Sequence, residues 1–291
     1  MQVITAGLAA PEGPVVLPSG EVVCVEMTTD TSCVTRVAAG GGRSRVSATG
    51  GRPNGLTVDG QGRFWVAGGP ALAVSCWSPE GEHIATFDCP DTPLLFPNDI
   101  AFGPDDALYV TDTGWPFDDL SPSSRRGIRD DFRSLPFQGG VIRLDPKTGA
   151  SRRIVTGLTF ANGLAFDPAG ELFVNETLTG AISHVSMDGV VTPYANVLEA
   201  VRPHHFHGPD GMAFAADGSL YVAVIGDGEI AVVPPGGGKP VQRLSTPGKL
   251  PTNVAFALRD EPAIYITEVQ HGVLLRAEID RAGLPLYCPS V

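Results

Sequence analysis

Two acids and two amides stand at corresponding places in a phrase that this chain repeats: Glu12, Asn98, Asn162 and Asp210. All four side chains offer oxygen donors, and no Cys or His occupies an equivalent place. Such a set suits a hard divalent cation, Ca²⁺ first, with Mg²⁺ or Mn²⁺ as alternatives, and Zn²⁺ also accepts carboxylates. Two anionic ligands offset the ion's charge and leave positions open for water or substrate. One divalent ion held in this way can polarise an ester carbonyl and lower the pKa of bound water. Asp210 is then the candidate general base, although coordination lowers the basicity of a carboxylate. Asn54 and Asn98 would orient a substrate through their amides, and Asn253 belongs to the same series as channel wall or substrate contact. Taken singly, an Asn before Gly is a turn former. Six polar letters in phase point to a site.

The phrase is clearest as Phe160-Ala161-Asn162-Gly163-Leu164-Ala165-Phe166-Asp167. It recurs around Asn54, Asn98, Asp210 and Asn253, with a looser copy at Pro11-Glu12-Gly13-Pro14. The indexed residues Glu12, Asn54, Asn98, Asn162, Asp210 and Asn253 lie roughly forty to fifty apart, with one longer interval after Asn98, the signature of a radial repeat. Within one period, short β-branched and aromatic runs such as Glu171–Glu176 and Ala181–Met187 alternate with Asp, Pro and Gly turns, giving four strands. Six such periods predict an all-β, six-bladed β-propeller over residues 1–291, a single domain of four antiparallel strands per blade. Val3-Ile4-Thr5-Ala6-Gly7-Leu8 echoes the outer strand Ile154-Val155-Thr156-Gly157-Leu158. Residues 3–8 are therefore expected to close the ring beside Val273–Ile279. In a propeller the first strand of each blade lines the central channel, so the indexed residues should converge.

The long interval holds an insertion, 115–138, rich in Pro, Ser, Arg, Asp and aromatic residues and without strand alternation. Long loops in compact domains tend to carry function, so the segment is a solvated loop or a lid over the channel mouth. If it is a lid, Arg125, Arg126, Arg129 or Arg133 could meet an anionic group, and Trp115 or Phe117 could stack on substrate. His204, His205 and His207 precede Asp210 on the same mouth; His207 is a candidate substrate contact. The net charge of −12 argues against nucleic acid or an anionic membrane as partner. No apolar run is long enough to span a bilayer, and no charged segment followed by an apolar core marks a signal peptide. Five cysteines without a C-x-x-C pair fit reduced thiols in a cytoplasmic protein. No G-x-S-x-G elbow supports a serine hydrolase. The expected partner is a small molecule, with the chain a monomer or small homo-oligomer.

The phrases at Pro11-Glu12-Gly13-Pro14, Phe96-Pro97-Asn98-Asp99, Ala161-Asn162-Gly163-Leu164 and Pro209-Asp210-Gly211-Met212 resemble the SMP-30/gluconolactonase/LRE family. That family takes in regucalcin-like sugar lactonases and, more distantly, diisopropylfluorophosphatase. The resemblance runs from about Gly7 to Ile279. It implies a six-bladed propeller with one divalent ion held by Glu12, Asn162 and Asp210, with Asn98 beside it, acting on a small lactone of the aldonolactone type. The chain departs from the phosphatase-like branch. Ala213 and Ala255 stand where that branch holds a second calcium, and Val269 stands where it carries a His. A phosphotriester or other ester as substrate, or a non-catalytic calcium-binding propeller, are the alternatives.

Overall fold

The computed structural model describes residues 1–121, 127–258 and 261–291. Its strands pair as six separate four-stranded antiparallel sheets. Blade 1 holds β2 (Pro11–Val16), β3 (Val22–Glu26), β4 (Cys33–Val37) and β5 (Arg43–Ala48). Blade 2 holds β6 (Pro53–Val58), β7 (Phe64–Gly68), β8 (Val74–Trp77) and β9 (His83–Phe87). Blade 3 comprises β10 (Pro97–Phe102), β11 (Leu108–Asp112), β12 (Gly139–Leu144) and β13 (Ser151–Leu158). Blade 4 comprises β14 (Ala161–Phe166), β15 (Leu172–Glu176), β16 (Ala181–Val185) and β17 (Val191–Asn196). Blade 5 is built from β18 (Gly208–Phe214), β19 (Leu220–Ile225), β20 (Glu229–Val233) and β21 (Gln242–Ser245). Blade 6 takes β22 (Pro251–Phe256), β23 (Ala263–Glu268) and β24 (Val273–Glu278), and its outermost strand is β1 (Gln2–Ala6).

The innermost strands touch those of both neighbouring blades, and β2 touches β22 to complete the circle. The expected six-bladed propeller is therefore the fold, with the N-terminal strand closing it: β1 runs antiparallel to β24, with Gln2 opposite Arg276 and Ala6 opposite Val273. Burial falls from axis to rim, as a ring demands. All six residues of β6 are buried, whereas β9 of the same blade exposes every other side chain or more. The apolar cores lie between adjacent blades. Trp65 and Val74 of blade 2, for example, pack with Ile100, Leu108 and Ile142 of blade 3.

Two repeated devices fix the innermost strands. Each of them carries a β-bulge at its start, between Glu12 and Val15, Pro53 and Leu56, Pro97 and Ile100, Ala161 and Leu164, Pro209 and Met212, and Pro251 and Asn253. A bulge re-aims the side chain beside it, here toward the axis. In four blades a buried or half-buried acid ends the second strand and accepts a backbone N–H from the loop that enters the first. Glu26 binds Ala9 (2.6 Å), Asp112 binds Phe96 (2.9 Å), Glu176 binds Thr159 (2.5 Å) and Glu268 binds Leu250 (3.2 Å). These carboxylates are structural and lie outside the channel.

The far end of the channel is plugged. The C-terminal tail crosses it, held by Leu284 N–H to Phe214 O (3.0 Å), Ala216 N–H to Ala282 O (2.9 Å) and Gly60 N–H to Pro289 O (2.9 Å). Tyr287 meets the edge of Phe166 with ring centroids 5.9 Å apart. Leu284, Pro285, Leu286 and Tyr287 floor an apolar space of about 120 Å³ on the axis. No helix among the described residues is long and apolar enough to cross a membrane.

Deleting residues 1–8 would strip the closing strand from blade 6 and expose the edge of β24. We expect the loss of this strand, and of the Leu8 N–H bond to Gly272 O, to lower Tm by roughly 10 °C or more, since a 150–250-residue fold loses about 2–4 °C per kcal/mol. Thermal unfolding followed by circular dichroism checks this; an unchanged Tm would show that β1 does not close the ring.

Candidate active site

At the open end of the channel the bulged strands bring together Glu12, Asn54, Asn98, Asn162, Asp210 and Thr252, which floor a cavity of about 250 Å³. The glycine after the index explains how six strands fit. A Cβ on Gly163 would lie 2.2 Å from Asp210 O, and one on Gly211 would run into the Asn253 side chain. Neighbouring strands approach too closely there for a side chain in most blades. Blades 3 and 6 are the exceptions, with Asp99 and Asn253 at that place, and both side chains are absorbed by hydrogen bonds.

This register corrects the expectation for Asn253. Val254 pairs with Ile266 as Leu164 pairs with Val174 and Ile100 with Val110, so Asn253 stands one place beyond the index and Thr252 occupies it. The Asn253 amide lies below the floor, where it donates to Glu12 Oε1 (2.9 Å) and accepts the Val254 N–H (2.8 Å). It positions Glu12 and lines the axial space behind the floor, as channel wall, without reaching the substrate cavity.

Two of the three floor amides, Asn98 and Asn162, are clamped by threonines that the sequence did not single out. Asn98 donates to Thr113 Oγ1 and Asn162 to Thr177 Oγ1, each at 3.0 Å. The threonines in turn donate to the next blade, at Ala161 O (3.1 Å) and Pro209 O (2.8 Å). Thr252 repeats the pattern, bonding Thr267 Oγ1 (2.9 Å) and Pro11 O (2.9 Å). Each amide nitrogen is thereby occupied, which leaves the oxygen for the cavity. Asn162 Oδ1 and Glu12 Oε2 are both buried with no hydrogen-bond partner. Buried polar atoms are rarely left so.

The electrostatics agree. Burial raises the Asp210 carboxyl well above the usual range, with the charges of Glu12 and Asp99 adding to the shift. Burial likewise pushes Glu12 up to about 7, opposed by hydrogen bonding from Thr252 and raised further by Asp99. Asp99, buried just below, is pushed up to about 6 by burial, although the N–H groups of Ile100 (2.9 Å) and Leu164 (3.2 Å) hold its charge. Like charges are thus gathered in low dielectric with two oxygens unpartnered. Among the described residues no three His, Cys, Asp or Glu side chains form a metal-holding group; the set requires the amide oxygens as well. Two carboxylates with amide oxygens fit a hard divalent cation.

The other expected residues fall elsewhere. Trp115 packs on Phe137 (centroids 6.3 Å apart) instead of lining the cavity, and its Nε1 is buried without a partner. The insertion reaches the cavity through Phe117, Leu120 and Ile128, the first two on the short helix α1 (Phe117–Leu120). It covers one wall as a lid would. His207 is buried in a lateral cleft, where Nε2 accepts the Arg202 N–H (3.0 Å) and Nδ1 lies 3.3 Å from Asp227. Burial and the nearby cations lower its pKa to about 4. The chain is extended here, so His207 faces away and its neighbour Phe206 faces the cavity. His204 is exposed, and His205 bonds Gly226 O (3.0 Å). Arg129 pairs with Asp131, and Arg133 ties the insertion to Leu178 O (2.7 Å) and His205 O (3.1 Å). Arg125 and Arg126 lie outside the described residues. The cation that does line the cavity is Arg52, two places before Asn54.

Sign and window of the pH dependence follow from the raised carboxyls. From roughly pH 4 up to about 6 for Asp99 and about 7 for Glu12 the folded chain keeps protons that the unfolded chain releases, and the raised Asp210 acts in the same direction. This contribution to stability is complete at low pH and is lost as pH rises through 6 and 7. Chelator-treated protein should therefore lose Tm across that window, and millimolar Ca²⁺ should restore it. A flat Tm in both conditions would count against the convergence. Replacing the clamp by Thr177→Val should weaken cation binding by about 10–100-fold in calorimetric titration, the usual effect of removing a hydrogen bond behind a ligand.

The chain matches the model of the SMP-30/gluconolactonase/LRE-like region over residues 10–270. It is 26% identical over 282 residues to the diisopropyl-fluorophosphatase of Loligo vulgaris, covering 94% of this chain and 85% of that protein. It is 31% identical over 147 residues to lactonase drp35 of Staphylococcus epidermidis, covering 47% of this chain and 44% of that one. A gluconolactonase structure from Xanthomonas campestris superposes with a TM-score of 0.74 at 22% identity, covering 94% and 87% of the two chains. The match spans all six blades, and the chain belongs to the SMP-30/gluconolactonase/LRE-like family.

Proposed function

We propose that this chain is a divalent-metal-dependent hydrolase that opens a small lactone or a related carboxylic ester. The observation that carries the proposal is the pair of buried, unpartnered oxygens, Glu12 Oε2 and Asn162 Oδ1, on one floor with Asp210. Glu12, Asn162 and Asp210 would hold the cation, with Asn98 beside it. When bound, such an ion would polarise the carbonyl and acidify water. The lactonases and gluconolactonase among the relatives support the substrate class.

The chain's own residues account for the rest. Asn98 and Asn54 donate or accept at the substrate's polar edge and hold the carbonyl over the floor. Asp210, the carboxylate that shares the floor with the cation, takes a proton from the attacking water, although coordination lowers its basicity. The same proton passes to the departing ring oxygen as the C–O bond breaks. Asn253 holds Glu12 in place through its amide. The wall of Phe117, Leu120, Phe160 and Phe206 excludes bulk water, which strengthens every interaction on the floor.

Asp210→Asn keeps shape and removes the base; kcat/KM for gluconolactone or an aryl lactone should fall by at least about 10²-fold while the metal-free protein stays folded, with Tm at neutral pH no lower than wild type. A chelated sample should be equally inactive and regain activity with Ca²⁺. Equal rates with and without metal, after correction for spontaneous opening, would end the proposal. A second substrate class has support from the relative in Loligo vulgaris, because a phosphotriester offers the same polarisable oxygen. Val269 lines the cavity at the place where the phosphatase-like branch carries a His, so we expect phosphotriester turnover to be the slower of the two in a side-by-side panel.

A further inference from the structure

The residue two places before the index turns its side chain onto the cavity wall, and its identity changes the wall's character. It is Ala10 in blade 1, Phe96 in blade 3 and Phe160 in blade 4, but Arg52 in blade 2. Above the polar floor the remaining wall is apolar, with Met27, Phe117, Leu120 and Phe206 among its parts. Among the described residues Arg52 is therefore the charged group set into this apolar surface. Its guanidinium lies 3.8 Å from the centroid of the Phe117 ring and 5.8 Å from that of Phe96. Its hydrogen-bond contact is Nη2 to the sulfur of Met27 at 3.7 Å, a weak acceptor. The buried Nε has no partner. Glu12, Asp210 and Asp118 act on it through space, yet among the described residues it forms no ion pair. Burial lowers its pKa to about 10, so it stays charged at neutral pH.

Two physical consequences follow. A polyhydroxylated ring in this cavity would turn hydroxyls onto phenyl and aliphatic carbon, and each unmatched hydroxyl would lose its bonds to water without replacement. A guanidinium stacked on an aromatic face with unused donors is instead a preformed receptor for a planar anion. We propose that the cavity takes a largely apolar ester or lactone carrying one carboxylate, and that Arg52 binds that carboxylate. The inference rests on the hydrolase assignment for the word ester, and on the wall alone for the rest. It narrows the aldonolactone expected from the sequence to a less hydroxylated, anionic relative.

Binding can be measured without turnover. Phenylacetate and its neutral isostere phenylacetamide are titrated calorimetrically into the protein. Wild type should bind the acid at least about tenfold more tightly, the usual value of one hydrogen bond to a charged group. Arg52→Gln and Arg52→Met both remove the charge, and Met suits the apolar wall should Gln fail to fold. In either folded variant the acid-to-amide ratio should collapse to about one. Equal binding of acid and amide by wild type overturns the proposal. So does a ratio that survives in the variants, because the carboxylate would then be held by a cation on the floor. Turnover adds a second arm, the kcat/KM ratio of 3-carboxyphenyl acetate to phenyl acetate, expected to fall in the same variants. If wild type hydrolyses neither ester, nor any lactone, the hydrolase assignment fails while the binding ratio still decides the role of Arg52.

Discussion

Crowding at the axis governs this molecule. In four of the six blades the inner strands meet so closely that a Cβ one place after the index would collide with the next strand, as at Gly163 and Gly211. The bulge and the glycine are two answers to that lack of room, and together they leave each index side chain a single direction, toward the axis. The site is thus a by-product of closing the ring. What a given blade contributes depends on one letter, and the scaffold tolerates Glu, Asn, Asp or Thr in it with equal ease.

Crowding also explains why the floor is electrostatically tense. Glu12 and Asp210 approach each other because their strands must, and burial raises both. The fold does not relieve this with a lysine or arginine in ion-pair contact. It spends its nearby hydrogen bonds on orientation instead, through Thr113, Thr177 and Asn253. A protein that only needed a stable axis would be better served by apolar side chains there. The strain is tolerable where a cation is the expected partner.

Much of this was legible in the chain because it is periodic. The blade count, the closing strand and the convergence of Glu12, Asn98, Asn162 and Asp210 all follow from one repeated phrase. The misplacement of Asn253 came from the same source: Thr252-Asn253-Val254 lacks the glycine that marks the register elsewhere, and only strand pairing shows which residue is the index. Asp99 was hidden similarly, as a side chain at a glycine position. Thr113 and Thr177 act across blades and carry no local mark, although each lies 15 residues after the amide it clamps. His207 and Trp115 were misleading because residue type was visible while direction was not. Extended chain alternates its faces, so one residue decides between cavity and cleft. Arg52 could have been found by aligning the letter two places before the index, which is Ala10, Phe96, Phe160, Gly208 and Leu250 in the other five blades.

The plug at the far end gives the channel a direction. With Leu284 to Tyr287 packed across the axis beneath Asp99 and Asn253, the propeller is a cup and not a tube. Whatever enters past Phe117 and Arg52 must leave by the same doorway, so arriving and departing molecules compete for one passage. A reaction that opens an ester would create, inside this cup, a further carboxylate close to the Arg52 cation of its wall. Departure of that acid, more than the bond cleavage behind it, is the step such an architecture places under the control of its mouth.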